Sequence, residues 1–117
     1  MIKNRILAVP ILPGKTETWV EHCRIMMEER KEEFTDFARR NGVSESRMWL
    51  QRTPQGDMVI VLHEGQDPDK FHDAAVRSDE PIAAFLRESI LEVHGVDVRT
   101  VDTGPAPSLE LNLNHVR

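Results

Sequence analysis

The sequence predicts an α+β domain, with an antiparallel sheet and both helices on one of its faces. Three observations lead there. A short apolar segment at residues 5–11 ends at a proline. A helical repeat follows over about 17–40. Two strand-like segments, 47–53 and 58–62, are separated by Pro54-Gln55-Gly56. Together with a later helix and a last strand the order is β-α-β-β-α-β.

Each element has a local reason. Residues 5–11 are too short and too rich in Ile, Val and Leu for a free-standing helix, and Pro10 closes the run. Pro13-Gly14-Lys15 is a turn into the first helix. Thr18 with Glu21 has capping-box spacing, and Thr16 is the alternative cap. Val20, Cys23, Met27, Phe34, Phe37 and Ala38 form an apolar stripe, opposite Glu21, Glu28, Glu29, Glu32 and Asp36. Asn41-Gly42 stops the helix.

Residues 47–53 alternate polar and apolar, and 58–62 are continuously apolar. Two registers remain open for this hairpin. One sets Trp49 opposite Leu62 and Arg47 opposite Glu64. The other sets Trp49 opposite Val61 and Arg47 opposite His63. Asp67-Pro68-Asp69 opens a short helix over about 68–76, and Ser78-Asp79-Glu80-Pro81 starts another. Ile82, Phe85, Leu86, Ile90 and Leu91 are its apolar face. A last strand is expected over 93–101, with Gly95 hosting a bulge. This is the ferredoxin-like arrangement, and its second sheet face needs a cover. Residues 1–102 make the domain. Residues 103–117 make a proline-containing linker and a C-terminal arm or edge strand, in which Leu109, Leu111 and Leu113 alternate with polar residues.

The chain has 117 residues and a net charge of −5. A monomer of this size buries roughly 65% of its unfolded surface, so a partner subunit would add stability. The acidic balance and scattered arginines argue against nucleic-acid binding, which needs a basic surface. No run reaches the ~20 apolar residues of a membrane span. Pro10 and Pro13 interrupt the N-terminal apolar run, which reads as a strand rather than a signal peptide. The one cysteine, Cys23, fits a reducing cytoplasm.

Leu12-Pro13-Gly14-Lys15 before a long first helix resembles the dimeric α/β-barrel superfamily. Ser78-Asp79-Glu80-Pro81, Phe85 and Val93-His94-Gly95-Val96-Asp97 resemble a small group of uncharacterised proteins within it, over about residues 3–100. The resemblance implies a homodimer with sheets paired face to face, which would supply the missing cover. It implies a ligand site between helices and sheet. Members include cofactor-independent monooxygenases, lactone isomerases, haem-dependent chlorite dismutases and stress-induced proteins. Fold likeness assigns none of these activities. No cofactor is expected: the sequence has no glycine-rich phosphate loop, and it is shorter than the haem-bearing relatives.

Two functional readings follow. In one, the dimer binds a small organic ligand or acts as a non-catalytic stress-type protein. In the other, a monooxygenase- or isomerase-like enzyme uses His63 or His72 as general base. Trp49, Trp19, Arg30 and His94 are the remaining pocket candidates. The tryptophans can stack on a planar ligand, although core packing is the simpler reading of both. Arg30 falls in line with the apolar stripe and needs a partner, an anionic ligand or a route to solvent. His94 beside Gly95 suits a structural role. His63, Glu64, Asp69, His72 and Asp73 are donor types for a divalent metal, but their spacing matches no metal motif, and no metal is expected. His22 reads as surface and His115 as tail, and Cys23 as an inert thiol within the stripe.

Overall fold

Strand β1 (Lys3–Pro10) pairs antiparallel with β3 (Gly56–Gly65), which pairs on its other side with β2 (Glu45–Thr53). Among the described residues the sheet is three-stranded, in the order β1-β3-β2, and four helices stand around it: α1 (Thr16–Arg24), α2 (Lys31–Arg40), α3 (Pro68–Arg77) and α4 (Pro81–His94). A π-helical turn, Ile25–Glu29, joins α1 to α2. This is an α+β fold with an antiparallel sheet, seen in a computed structural model that describes residues 1–101 and 106–114.

Alternation along the strands assigns their faces. Arg5, Leu7 and Val9 of β1 point toward the helices with Val59, Val61 and His63 of β3 and Met48 of β2. Ile6, Ala8, Ile60, Leu62 and Trp49 take the opposite parity and form the outer face. The core on the helix side has two clusters. Phe37, Ala38, Val43, Phe71, Ile82 and Ala83 make one. Ile11, Trp19, Val59 and Val93 make the other.

Four expectations are corrected by the fold. First, residues 93–101 contain no strand. Val93 is fully buried in the last turn of α4, and its carbonyl accepts a hydrogen bond from Leu12 N at 2.9 Å. The reason is periodicity: Ile82, Leu86, Ile90 and Val93 continue one helical stripe for another turn. Gly95, at φ 73°, is the left-handed residue that ends the helix and not a bulge. Residues 97–101 then form a turn around Asp97, whose carbonyl accepts from Thr100 N and Val101 N at 3.1 Å.

Second, the long first helix is interrupted. Arg30 N bonds Ile25 O at 2.9 Å, five residues back, and Arg30 leaves helical geometry at φ −122°. The extra residue rotates the stripe, so Met26 faces inward while Met27 is 65% exposed. Third, no capping box forms. Lys15 is the N-cap without a side-chain bond, and Thr16 Oγ1 instead donates to Asp57 Oδ2 at 2.6 Å. Fourth, neither expected hairpin register holds. Thr53 pairs with Gly56 around a two-residue loop, Pro54-Gln55, which sets Trp49 opposite Ile60 and Arg47 opposite Leu62. The tighter loop slides the strands, and Thr53 Oγ1 locks it by donating to Gly56 O at 2.5 Å.

The remaining helix starts follow their local chemistry. Asp67 caps α3 by accepting from Lys70 N at 3.2 Å, and Pro68 and Pro81 open α3 and α4. Residues 107–114 of the tail are exposed and belong to no strand, with Leu109, Leu111 and Leu113 65–77% exposed. The expected linker at Gly104-Pro105 and the residue His115 lie outside the described residues.

Candidate functional site

The site begins with strand parity. Arg5 stands in register with His63, and His63 with Ser46, so one polar row crosses all three strands on the helix side. Helix α3 lies over this row and adds Phe71 and His72. The His63 ring packs against Phe71 at 4.6 Å between centroids and against His72 at 5.5 Å, edge to face. Its Nδ1 shares a 2.9 Å hydrogen bond with Ser46 Oγ. Arg5 Nη1 donates to Asp69 Oδ1 at 2.7 Å, one helical turn before His72.

The row ends a cavity of about 450 Å³ between sheet and helices. Its walls are mainly apolar: Leu7, Val9 and Val61 from the sheet, Phe34, Leu86 and Ile90 from the helices. Trp19, Met26, Phe34 and Met48 separate it from a second cavity of about 570 Å³ between α1, α2 and the start of β2. The second cavity has no cluster of buried polar groups, whereas the first has His63, His72 and Arg5 at one end. A concave apolar space with few convergent polar groups is the usual form of a small-molecule site.

Electrostatics at that end are set by burial. His63 is 5% exposed, and burial, then His72 and Arg5, push its pKa down to about 4. His72 is also lowered to about 4, by burial and by Arg5, with Asp69 acting in the opposite direction. Both imidazoles are therefore neutral at pH 7. Among the described residues, two buried side-chain nitrogens have no hydrogen-bond partner: Arg5 Nε and His72 Nε2. Both sit on residues that line this end of the cavity.

The structure brings some expected residues together and separates others. His63, His72, Trp19 and His94 line the cavity. His94 is held by a 2.7 Å bond between its Nδ1 and Pro10 O, and burial lowers its pKa against that bond. Trp49 lies on the outer face, 48% exposed, and lines neither cavity. Arg30 also lines neither. Its guanidinium bonds Glu33 at 2.8 and 3.1 Å and lies 4.9 Å from the Phe85 ring centroid, so it has the partner its position required. His22 is not a free surface residue: its Nδ1 shares a 2.6 Å bond with Ser89 Oγ, tying α1 to α4. Burial raises the Cys23 thiol to about 11, so it stays protonated and unreactive at neutral pH. Among the described residues no group of three or more His, Cys, Asp or Glu side chains could hold a metal ion. None of their helices is long and apolar enough to cross a membrane.

Arg5, Ser46 and Phe71 were not foreseen as site residues. A signal for Arg5 exists: in Arg5-Ile6-Leu7-Ala8-Val9 it shares inward parity with Leu7 and Val9, an unusual place for a guanidinium. Ser46 and Phe71 join only through pairing and helix placement. No family model matches this sequence, and no curated protein matches it.

Proposed function

We propose that the chain binds a small, mainly apolar organic molecule in the cavity between helices and sheet. The observation that carries this reading is the joint presence of an apolar space of about 450 Å³ and a polar cluster confined to one end. A Trp49→Phe variant leaves Trp19 as the single tryptophan, at the cavity wall. Saturable change of its fluorescence is expected on titrating medium-chain organic compounds. Val61→Phe, which fills the cavity, is expected to abolish that change while the protein stays folded by circular dichroism. Absence of saturable change for every compound would overturn the reading.

The binding reading is preferred over the enzymatic one on acid–base grounds. A histidine with a pKa near 4 is a weak base, and general bases work best near the operating pH. The enzymatic reading keeps one specific support: two neutral imidazoles stand at a cavity wall, ready to accept a proton. In that reading His63 or His72 takes an acidic substrate proton, as the resemblance to cofactor-independent monooxygenases and isomerases implies.

The second part of the proposal is a homodimer closed over the outer sheet face, as in a dimeric α/β barrel. Ile6 and Trp49 are 46% and 48% exposed there, beside Ala8, Ile60 and Leu62. A contiguous apolar sheet face of this kind favours a covering partner. A ferredoxin-like fourth strand, in this reading, comes from the alternating tail around Leu109–Leu113 and adds to the open edge of β1. Sedimentation at micromolar concentration is expected to give a dimer, and Trp49→Glu with Ile60→Glu a folded monomer. A monomeric wild-type protein would sink this part.

A further inference from the structure

The polar end of the cavity has a sign as well as a position. Among the described residues no acidic side chain lines the cavity, although the whole chain carries a net charge of −5. Arg5 does line it, and its side chain is only 19% exposed. Asp69 satisfies Arg5 through Nη1 alone, from a position 79% exposed to solvent. Among the described residues the buried Nε–H on the same guanidinium has no acceptor. His72 Nε2, also buried and unpaired, supplies a second donor when the neutral ring carries its proton there. Arg87, the other arginine at the cavity, is already committed: its Nη1 donates to Ala75 O at 2.9 Å and to Ser78 O at 2.8 Å.

Two orphaned nitrogens, and no carboxylate among the described lining residues, mark a place that lacks an anionic acceptor. We propose that the polar end binds the carboxylate of an amphipathic organic acid, with Arg5 Nε and His72 Nε2 donating to its oxygens and the acid's apolar body lying along Leu7, Val9 and Val61. This rests on the reading of the cavity as a ligand site and adds the chemical class. A protonated amine of the same shape would place a second cation beside the Arg5 guanidinium, whose counter-charge Asp69 lies outside the lining. An alcohol would accept from the guanidinium without bringing a charge of its own.

Isothermal titration calorimetry on the full chain at pH 7 tests this with octanoate, 1-octanol and octylamine. Octanoate is expected to bind at least about tenfold more tightly than octanol, as a charge-assisted hydrogen bond implies, and octylamine more weakly than either. Arg5→Met should remove most of the octanoate preference while octanol stays within about twofold. His72→Leu should reduce the preference by a smaller factor, and it serves if Arg5→Met does not fold. The wild-type comparison decides if neither variant folds. Equal binding of octanoate and octanol, or a preference that survives Arg5→Met, overturns the carboxylate assignment and leaves the cavity reading standing. Binding of none of the three overturns both.

Discussion

Unfolding free energy is expected to fall by about 3 kcal/mol between pH 7 and pH 4 through His63 alone. Its pKa is 6.5 as an ordinary histidine and about 4 in the folded chain, because burial and the neighbouring His72 and Arg5 disfavour the imidazolium. Above pH 6.5 the ring is neutral in both states and the folded state keeps its full advantage. Below 6.5 the unfolded chain takes up a proton that the folded chain refuses. The loss grows until about pH 4, where both states are protonated. His72 shifts the same way and for the same leading reason, so it adds to the slope. His94 is also lowered by burial. Glu80, held down by Arg40, acts in the same direction, but its side chain is 42% exposed and its share is small. Urea titrations at pH 7, 5.5 and 4 measure the total. His63→Gln separates the part that belongs to this ring, since glutamine does not titrate and can still bond Ser46. The wild type should lose about 3 kcal/mol more than this variant over the interval. Equal losses would show that His63 is not held neutral.

Gly65→Ala is expected to be the most damaging single methyl addition in the sheet. Gly65 is buried at the end of β3, and a Cβ there would stand 2.1 Å from Gly42 O and 2.8 Å from Val43 Cα. Neither atom is free to move. Gly42 O accepts from Asp67 N at 3.0 Å, and Ser44 N donates to Glu64 O at 2.8 Å, so the segment after α2 is pinned on both sides of the contact. The loss should reach about 3 kcal/mol or more, which lowers the melting temperature by roughly 10 °C or more in a domain of this size. Gly14→Ala is the control. Its φ of 80° is strained for alanine, but nothing stands within 4 Å of the added carbon, and a loss of about 1 kcal/mol is expected. Calorimetric scans of the two variants make the comparison. Similar melting temperatures would refute the close approach at Gly65.

The patterns that proved legible in the sequence are those with a local physical cause. Helices announced themselves where a cap, a proline or a glycine stood at the end of a regular stripe, as at Asp67-Pro68, Glu80-Pro81 and Asn41-Gly42. The hairpin was visible from two strand-like runs and a proline turn. Its register was not, because the two expected pairings and the observed one differ by only one or two residues and the loop geometry alone selects among them. The expected strand at 93–101 failed for a related reason. Val93 fits a strand and a helix equally well on its own, and the stripe from Ile82 onward decides for the helix.

The candidate site divides along the same line. His63 and His72 could be named in advance, since imidazoles at a strand end and on a nearby short helix are scarce and chemically distinctive. Trp49 could not be assigned to a face before the register was known, and it took the outer one. Arg5 was hidden because its significance lies in a neighbour 58 positions away across the β1–β3 ladder.

The α+β class, most element positions and the presence of histidines near the end of the sheet were all written in the residues themselves. Those follow from periodicity and end signals, which act over a few residues. Only the tertiary structure decided that Arg5, His63 and Ser46 form one row, that His72 closes over it, and that two nitrogens there are buried without partners. Burial and hydrogen-bond satisfaction depend on which distant segments meet, and no local pattern carries that information.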